Sequence, residues 1–311
     1  MIRTKAGAAT LSVVSNSILI ALKVAAAAIT GSIAILTEAI HSSIDLVASV
    51  IALVSVRRAD VPPDEDHPYG HEKVESLAAT IEGMLILVGA GIIVFEATRR
   101  LAAGSEVERL GVGIAVIAFS IVANLCVSTF LSRRANQLGS PALEGDAAHL
   151  RADALTSFGV LAGLALVEAT GEPAFDAIAA LVVAVAIVAS GVRIMRRSGR
   201  ALVDEAPPRE ELDRIEATIA AAGIPEMVGY HKLRARRAGR RRWIDLHVQF
   251  REGTTLDRAH EAAHQLRDAI QAEVHGADVL IHVEPESSVR EMKGSPLRWG
   301  EPGGEGSVRS D

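Results

Sequence analysis

Cysteine is nearly absent: Cys126 is the single one in 311 residues, so no intramolecular disulfide can form and the redox compartment stays open. Standing inside an apolar run, it is expected as a small buried hydrophobe. Strong charge of either sign is also missing, and a formal net charge of −6 argues against a nucleic-acid partner. A local exception is the basic cluster Arg234, Arg236, Arg237, Arg240, Arg241 and Arg242. It reads as a solvated hairpin tip, with attraction to anionic lipid headgroups as the competing role. No small-residue cleavage site ends the first apolar run, so that run is expected as a retained helix.

What the chain has in excess is apolar surface. Hydrophobic residues make up 49% of the sequence and mean hydropathy is +0.28, too apolar for a soluble chain of this size. A spanning helix needs about 20 mostly apolar residues. Six such stretches fit, roughly 8–30, 33–56, 77–98, 110–131, 146–169 and 174–196, and after Pro207 there is no comparable run. In a six-pass arrangement Arg3, Lys5, Arg57, Arg58, Lys73, Arg133, Arg134, Arg193, Arg196, Arg197 and Arg200 fall on one side, which marks it as cytoplasmic. Arg99, Arg100 and Arg109 fall on the other. Both termini are then cytoplasmic, and a bacterial inner (plasma) membrane is the expected location.

Beyond Pro207 the pattern predicts a helix near 208–222, strands near 228–237 and 241–250, a helix near 256–274 and a strand near 278–284, a small α+β sandwich. Ile244, Leu246, Val248 and Phe250 alternate with Trp243, Asp245, His247 and Gln249, giving that strand one apolar and one polar face. Ala238 and Gly239 would make the turn. Residues 286–311 lack an apolar period and are expected to be disordered. The domains expected are therefore 1–206 in the membrane, 207–285 in the cytoplasm and a tail.

Two spans repeat one pattern: His41 and Asp45 in the second, His149 and Asp153 in the fifth. A spacing of four puts both side chains on one helix face. Ionisable groups in hydrocarbon are costly and seldom persist without a partner. Two imidazoles and two carboxylates suit tetrahedral zinc, whereas magnesium and calcium prefer all-oxygen shells. Interhelical hydrogen bonding alone would be the bland reading, and the repeat weighs against it. Metal binding would displace protons from these ligands, making protons the counter-substrate. Because Asp153 enters its span early from the cytoplasmic side, the fifth helix must start around Pro141 or tilt.

A second cluster, Asp64, His67 and His71, offers three ligands on a short loop, or else only a solvated polar segment. His71-Glu72-Lys73-Val74-Glu75 falls one residue short of the zinc-protease HExxH pattern, since Glu75 stands where the second histidine belongs. An enzyme is therefore not expected. A membrane-anchored metal sensor is the other rival, but ligand pairs buried in two spans are needless for an anchor.

From about Ala6 to Pro285 the sequence resembles the cation diffusion facilitator family, zinc/proton antiporter type. Carrying the resemblance are the run Leu11 to Asp45, with Gly31-Ser32-Ile33-Ala34, and the His41/Asp45 pair. It implies a six-helix transmembrane bundle followed by a ferredoxin-like, metallochaperone-like cytoplasmic domain, a homodimer in the lipid bilayer, and export of Zn2+ in exchange for H+. Cd2+, Co2+, Fe2+ and Mn2+ are the alternative cargoes. By resemblance His41, Asp45, His149 and Asp153 form the transport site, with histidine first as in zinc-preferring members. Asp64, His67 and His71 match the loop site. His231, His247, His282 and Glu284 match the cytoplasmic site, with His260 a further ligand and His264 either ligand or surface. Glu284 departs from the family's Asp. Lys73 and Asp204 match an interdomain salt bridge. Asn16 and Lys23 lie within the first span, where Lys23 could snorkel to an interface. Gly159 and Gly163 form a GxxxG packing step.

Overall fold

In a computed structural model, residues 4–30, 33–103, 113–172 and 174–289 are described. The chain divides into two units, Met1–Val203 and Asp204–Asp311.

The first unit is helical: α1 (Lys5–Thr30), α2 (Ile33–Ala59), α3 (Lys73–Ala103), α4 (Gly113–Leu138), α5 (Pro141–Thr170) and α6 (Ala174–Leu202). Among the described residues, five helices are long and apolar enough to cross a membrane, α1 and α3 to α6. The helix not among them is α2, several of whose side chains, Glu38 and His41 included, lie outside the described residues. The burial profile is inverted relative to a soluble bundle. Large apolar side chains such as Ile18, Phe95, Phe119, Val182 and Val185 point outward, while buried positions hold alanine, serine and ionisable residues. In water that exterior would drive aggregation; in lipid it is the contact surface, and small residues let helix backbones approach. Cys126 lies on this exterior, so the expectation of a buried thiol is wrong. An apolar side chain gains nothing from burial when its surroundings are already hydrocarbon.

Helix α5 borders every other helix of the unit. It starts at Pro141, with the Ser140 hydroxyl accepting from the Leu143 N–H at 3.4 Å, and it ends on Gly171 at φ +76°. Proline's fixed φ and missing N–H suit a first helical position. Against α6, a Cβ on Gly159 would stand 2.8 Å from Val183 Cγ2, and one on Gly163 would stand 2.6 Å from Asp176 Oδ1 and 3.0 Å from Asp176 Cα. The glycine step thus lets α6 approach, and Asp176 there pairs with Arg100 at 3.0 Å. Gly163→Ala is expected to destabilise the fold by about 1–3 kcal/mol, the usual cost of forcing extra volume into a packed contact. Thermal unfolding in detergent would read this as a lower midpoint than wild type.

The second unit runs α7 (Arg209–Ala221), β1 (Met227–Ala238), β2 (Arg241–Phe250), α8 (Leu256–Glu273) and β3 (Ala277–Pro285). β2 is central, antiparallel to β1 and parallel to β3. A parallel neighbour requires a crossover, which α8 supplies. The β1–β2 turn is Gly239–Arg240, one residue later than expected, because only Gly239 takes the left-handed φ of +57° easily. Ile215 and Ile219 from α7, Ala259, Leu266 and Ile270 from α8, and Ile244, Leu246, Val248 and Phe250 from β2 form the core on one sheet face. A ferredoxin-like domain has the order βαββαβ; the described residues follow it without the first strand. Glu286–Val289 form a short 3-10 turn in place of the expected disorder, and the rest of that tail lies outside the described residues.

Candidate metal centres

Three clusters of possible ligands form among the described residues: Asp45, His149 and Asp153; Asp64, His67 and His71; and His231, His247 and Glu284. In each, one ligand atom per residue lies within 4.8 Å of the others.

In the first cluster, α5 turns His149 Nε2 between two carboxylates, 3.2 Å from Asp45 Oδ1 on α2 and 3.9 Å from Asp153 Oδ2 one turn along. Asp45 and His149 are buried. The start of α5 at Pro141 supplies the depth that places Asp153 against a mid-helix Asp45. With bonds of about 2.0–2.2 Å, the ligand atoms around a tetrahedral zinc stand roughly 3.3–3.6 Å apart, so this trio is close to that spacing. The side chain of His41 lies outside the described residues. Lys23 does not snorkel: it is buried, and its ammonium donates to Ser42 Oγ at 2.7 Å, one turn from Asp45. An interhelical hydroxyl solvates it where lipid would not.

The loop cluster depends on Gly70, whose φ of +87° and N–H to the His67 carbonyl at 2.9 Å turn the chain between the two histidines. Asp64 Oδ1 accepts from the His67 N–H at 2.7 Å, and Asp64 Oδ2 stands 3.2 Å from His71 Nε2. His71 is buried and its Nδ1 lies 3.3 Å from the Val61 carbonyl. Since a carbonyl only accepts, Nδ1 carries the proton in this contact, and Nε2 is the ring nitrogen turned toward Asp64. Burial raises the Asp64 carboxyl, but hydrogen bonds from the His67 backbone and ring, with the charges of His71 and His67, outweigh it and hold it below its usual range.

The cytoplasmic cluster follows from strand register. His231 faces His247, and His247 faces His282, forming one row across the sheet on the face opposite the core. A bulge between His231 and Arg234, with Lys232 at φ +53°, re-aims β1 beside this row. Glu284, next on the same face of β3, reaches His231 Nε2 at 2.8 Å and His247 Nδ1 at 2.5 Å. His282 stays exposed, its Nε2 3.6 Å from Glu284 Oε1. Burial raises the Glu284 carboxyl, yet the hydrogen bonds and charges of His231 and His247 bring it below its usual value. His260 does not join this cluster within the chain. It sits exposed on α8, which packs on the other sheet face, and its ring neighbour is His264 at 4.3 Å between centroids.

Of the remaining positions, Lys73 donates to the Leu202 carbonyl at 3.4 Å and Asp204 accepts from Arg236 at 3.1 Å. Glu75, the residue that spoils the protease pattern, is buried, paired with Lys5 at 2.5 Å and hydrogen-bonded by Ser140, so it ties α1 and the start of α5 to α3. Sequence reading passed over Glu82 and Asp146, two fully buried carboxyls, and the polar chain from Asn16 to Ser49 at 2.8 Å and from Ser49 to Asp146 at 2.8 Å. Their signal was available: carboxylates inside apolar runs are costly wherever they stand.

Residues 9–203 match the family model for the cation efflux transmembrane domain, and residues 207–286 match that for the cation efflux protein cytoplasmic domain. The cation-efflux pump FieF of Serratia proteamaculans is 34% identical over 91% of this chain and 93% of its own length. FieF of Yersinia pestis is 34% identical over 88% and 90%. An uncharacterized transporter of Synechocystis, sll1263, is 32% identical over 85% of each chain. A solved structure of CzrB is similar at 34% identity over 27% of this chain and 94% of that one, with a TM-score of 0.26.

Proposed function

The chain belongs to the cation diffusion facilitator family, and on that premise we propose that it exports Zn2+ from the cytoplasm in exchange for H+ by alternating access. It is a multi-pass membrane protein and a cation efflux transporter, not an enzyme. The observation that carries the zinc reading is the buried trio, one imidazole and two carboxylates from α2 and α5 with ligand atoms within 4.8 Å of one another. A mixed nitrogen and oxygen donor set favours a borderline dication over magnesium or calcium. Cd2+, Co2+, Fe2+ and Mn2+ remain the alternative cargoes.

His41, Asp45, His149 and Asp153 are proposed as the transport site. Asp64, His67 and His71 form a loop site, and His231, His247, His282 and Glu284 a regulatory site. Counting α2 as a sixth span puts both termini in the cytoplasm, with the domain bounds at 1–206 and 207–285. The working unit is a homodimer in a bacterial inner membrane, and the cytoplasmic unit is read as a variant of the ferredoxin-like type. Protons compete for the imidazole and carboxylates at the transport site, so each cation bound releases protons to the cytoplasmic side, and uptake of the same number on the far side expels that cation. Alternating access then needs only that the site face each side in turn.

The test is zinc flux into inside-out vesicles with an acidic lumen. Uptake is expected to follow the imposed gradient, to collapse with a protonophore, and to be inhibited less by Mn2+ than by unlabelled Zn2+. Flux indifferent to the gradient would refute proton exchange, and stronger inhibition by another dication would refute zinc as the cargo.

A further inference from the structure

Beside the metal ligands lies a second ionisable group that they do not explain. Glu82 on α3 is fully buried, and neither of its carboxyl oxygens has a hydrogen-bond partner. Asp146 on α5 is equally buried: its Oδ1 accepts from Ser49 Oγ at 2.8 Å, while its Oδ2 has no hydrogen-bond partner. The two are close enough for their charges to interact. A Cβ on Gly145 would stand 1.9 Å from Glu82 Oε2, so the glycine makes the space that lets the Glu82 carboxyl lie against α5 beside Asp146.

Among the described residues, neither carboxyl pairs with a lysine or arginine. The groups acting on Asp146 are Ser12 on α1, Ser49 on α2 and His149 along α5, Asn16 reaching only Ser49; Glu82 has Asp146 alone, and among the described residues no ionisable group of α4 or α6 acts on either. Two neighbouring carboxylates excluded from water cannot both stay ionised without a cation between them. The orphaned oxygens and the absence of a basic partner mark where that positive charge belongs.

We propose that Glu82 and Asp146 together form a proton-binding site, separate from the metal ligands and coupled to them through space and through Ser49. Asp146 stands one turn before His149, and Ser49 one turn after Asp45, so the pair adjoins the transport site on two helices at once. Arrival of a dication at Asp45, His149 and Asp153 raises the local positive potential. The shared O–H bond then breaks, its electron pair stays on the carboxylate, and the proton leaves to water on the cytoplasmic side. When the cation departs, one proton from the far side restores the bond. This deepens the proton-exchange reading above and rests on it, since the pair would supply part of the proton count.

The experiment measures protons released per chain at zinc saturation by the full chain in detergent, for wild type and Glu82→Gln, with infrared difference spectra of the same samples. Glu82→Gln is expected to keep zinc affinity within about threefold and to release about one proton fewer per chain, with loss of the protonated-carboxyl band that zinc perturbs in wild type. Asp146→Asn serves as the second variant should Glu82→Gln fail to fold, and the same loss is expected of it. Unchanged proton release and an unchanged carboxyl band in the variant overturn the proposal while leaving proton exchange intact. A wild type that releases no protons on binding zinc overturns the exchange reading itself. Loss of one equivalent of bound zinc from the variant makes the pair a metal site and overturns the proposal too.

Discussion

Replacing both carboxylates of the buried trio, in an Asp45→Ala, Asp153→Ala double variant, is expected to cut zinc flux in reconstituted vesicles by at least about 100-fold, more than the 10- to 100-fold typical of disturbing a supporting residue. His149 Nε2 then loses the anion 3.2 Å away on α2 and the one 3.9 Å away on its own helix. A dication left with imidazole nitrogen alone has no carboxylate to offset its charge in a site excluded from water, and the loss of hydration is uncompensated. The fold should survive, because alanine is at home in this interior and neither aspartate caps a helix. Retained oligomeric state on size exclusion with lost flux is the expected pair of results. Flux near the wild-type level would remove the basis for placing transport at this trio.

Much of this site was legible because helices translate spacing into direction. A four-residue separation of His149 and Asp153 fixes one face, and the repeat at His41 and Asp45 picks out the partner helix. The depth mismatch between Asp45 and Asp153 called for a start near Pro141 or a tilt, and Ser140 and Pro141 begin the helix. The cytoplasmic strands were legible for the same kind of reason, since period-2 alternation puts Ile244 to Phe250 inward and His247 outward.

What stayed hidden depends on contacts between elements. That His231, His247 and His282 fall in one row is a matter of strand register, which alternation within one strand does not set. His260 was placed with them by resemblance, yet the α8 pattern of Ala259, Ala262, Leu266 and Ile270 turns the core stripe toward the sheet and leaves His260 and His264 outside. Glu82 and Asp146 carry no repeat and no motif, so nothing in linear spacing pairs them; only the Gly145 gap between α3 and α5 does. Lys23 likewise needed Ser42 from another helix before burial made sense.

Glu284 is the residue on which the cytoplasmic cluster turns, and Glu284→Ala is expected to weaken zinc binding there by at least about 100-fold, as for loss of a direct ligand. Its carboxylate touches both His231 and His247, at 2.8 and 2.5 Å. Those are hydrogen-bond distances; around a tetrahedral ion the same atoms must open to roughly 3.3–3.6 Å, which the longer glutamate side chain can follow more readily than an aspartate. Glu284→Asp should therefore bind more weakly than wild type yet better than Glu284→Ala. Calorimetry on the full chain carrying Asp45→Ala and Asp153→Ala, with Asp64→Ala and His67→Ala to remove the loop site as well, isolates this site, and equal affinity in all three would show that Glu284 holds no metal. Acid gives an independent readout without metal. The carboxyl sits below its usual value in the folded chain, so its contribution is complete above about pH 4.5 and drains away as pH falls through the folded value. Over that interval the wild type should lose thermal stability faster than Glu284→Gln, whose amide does not titrate. Parallel pH profiles for the two would mean that the histidines do not hold the carboxylate in its charged form.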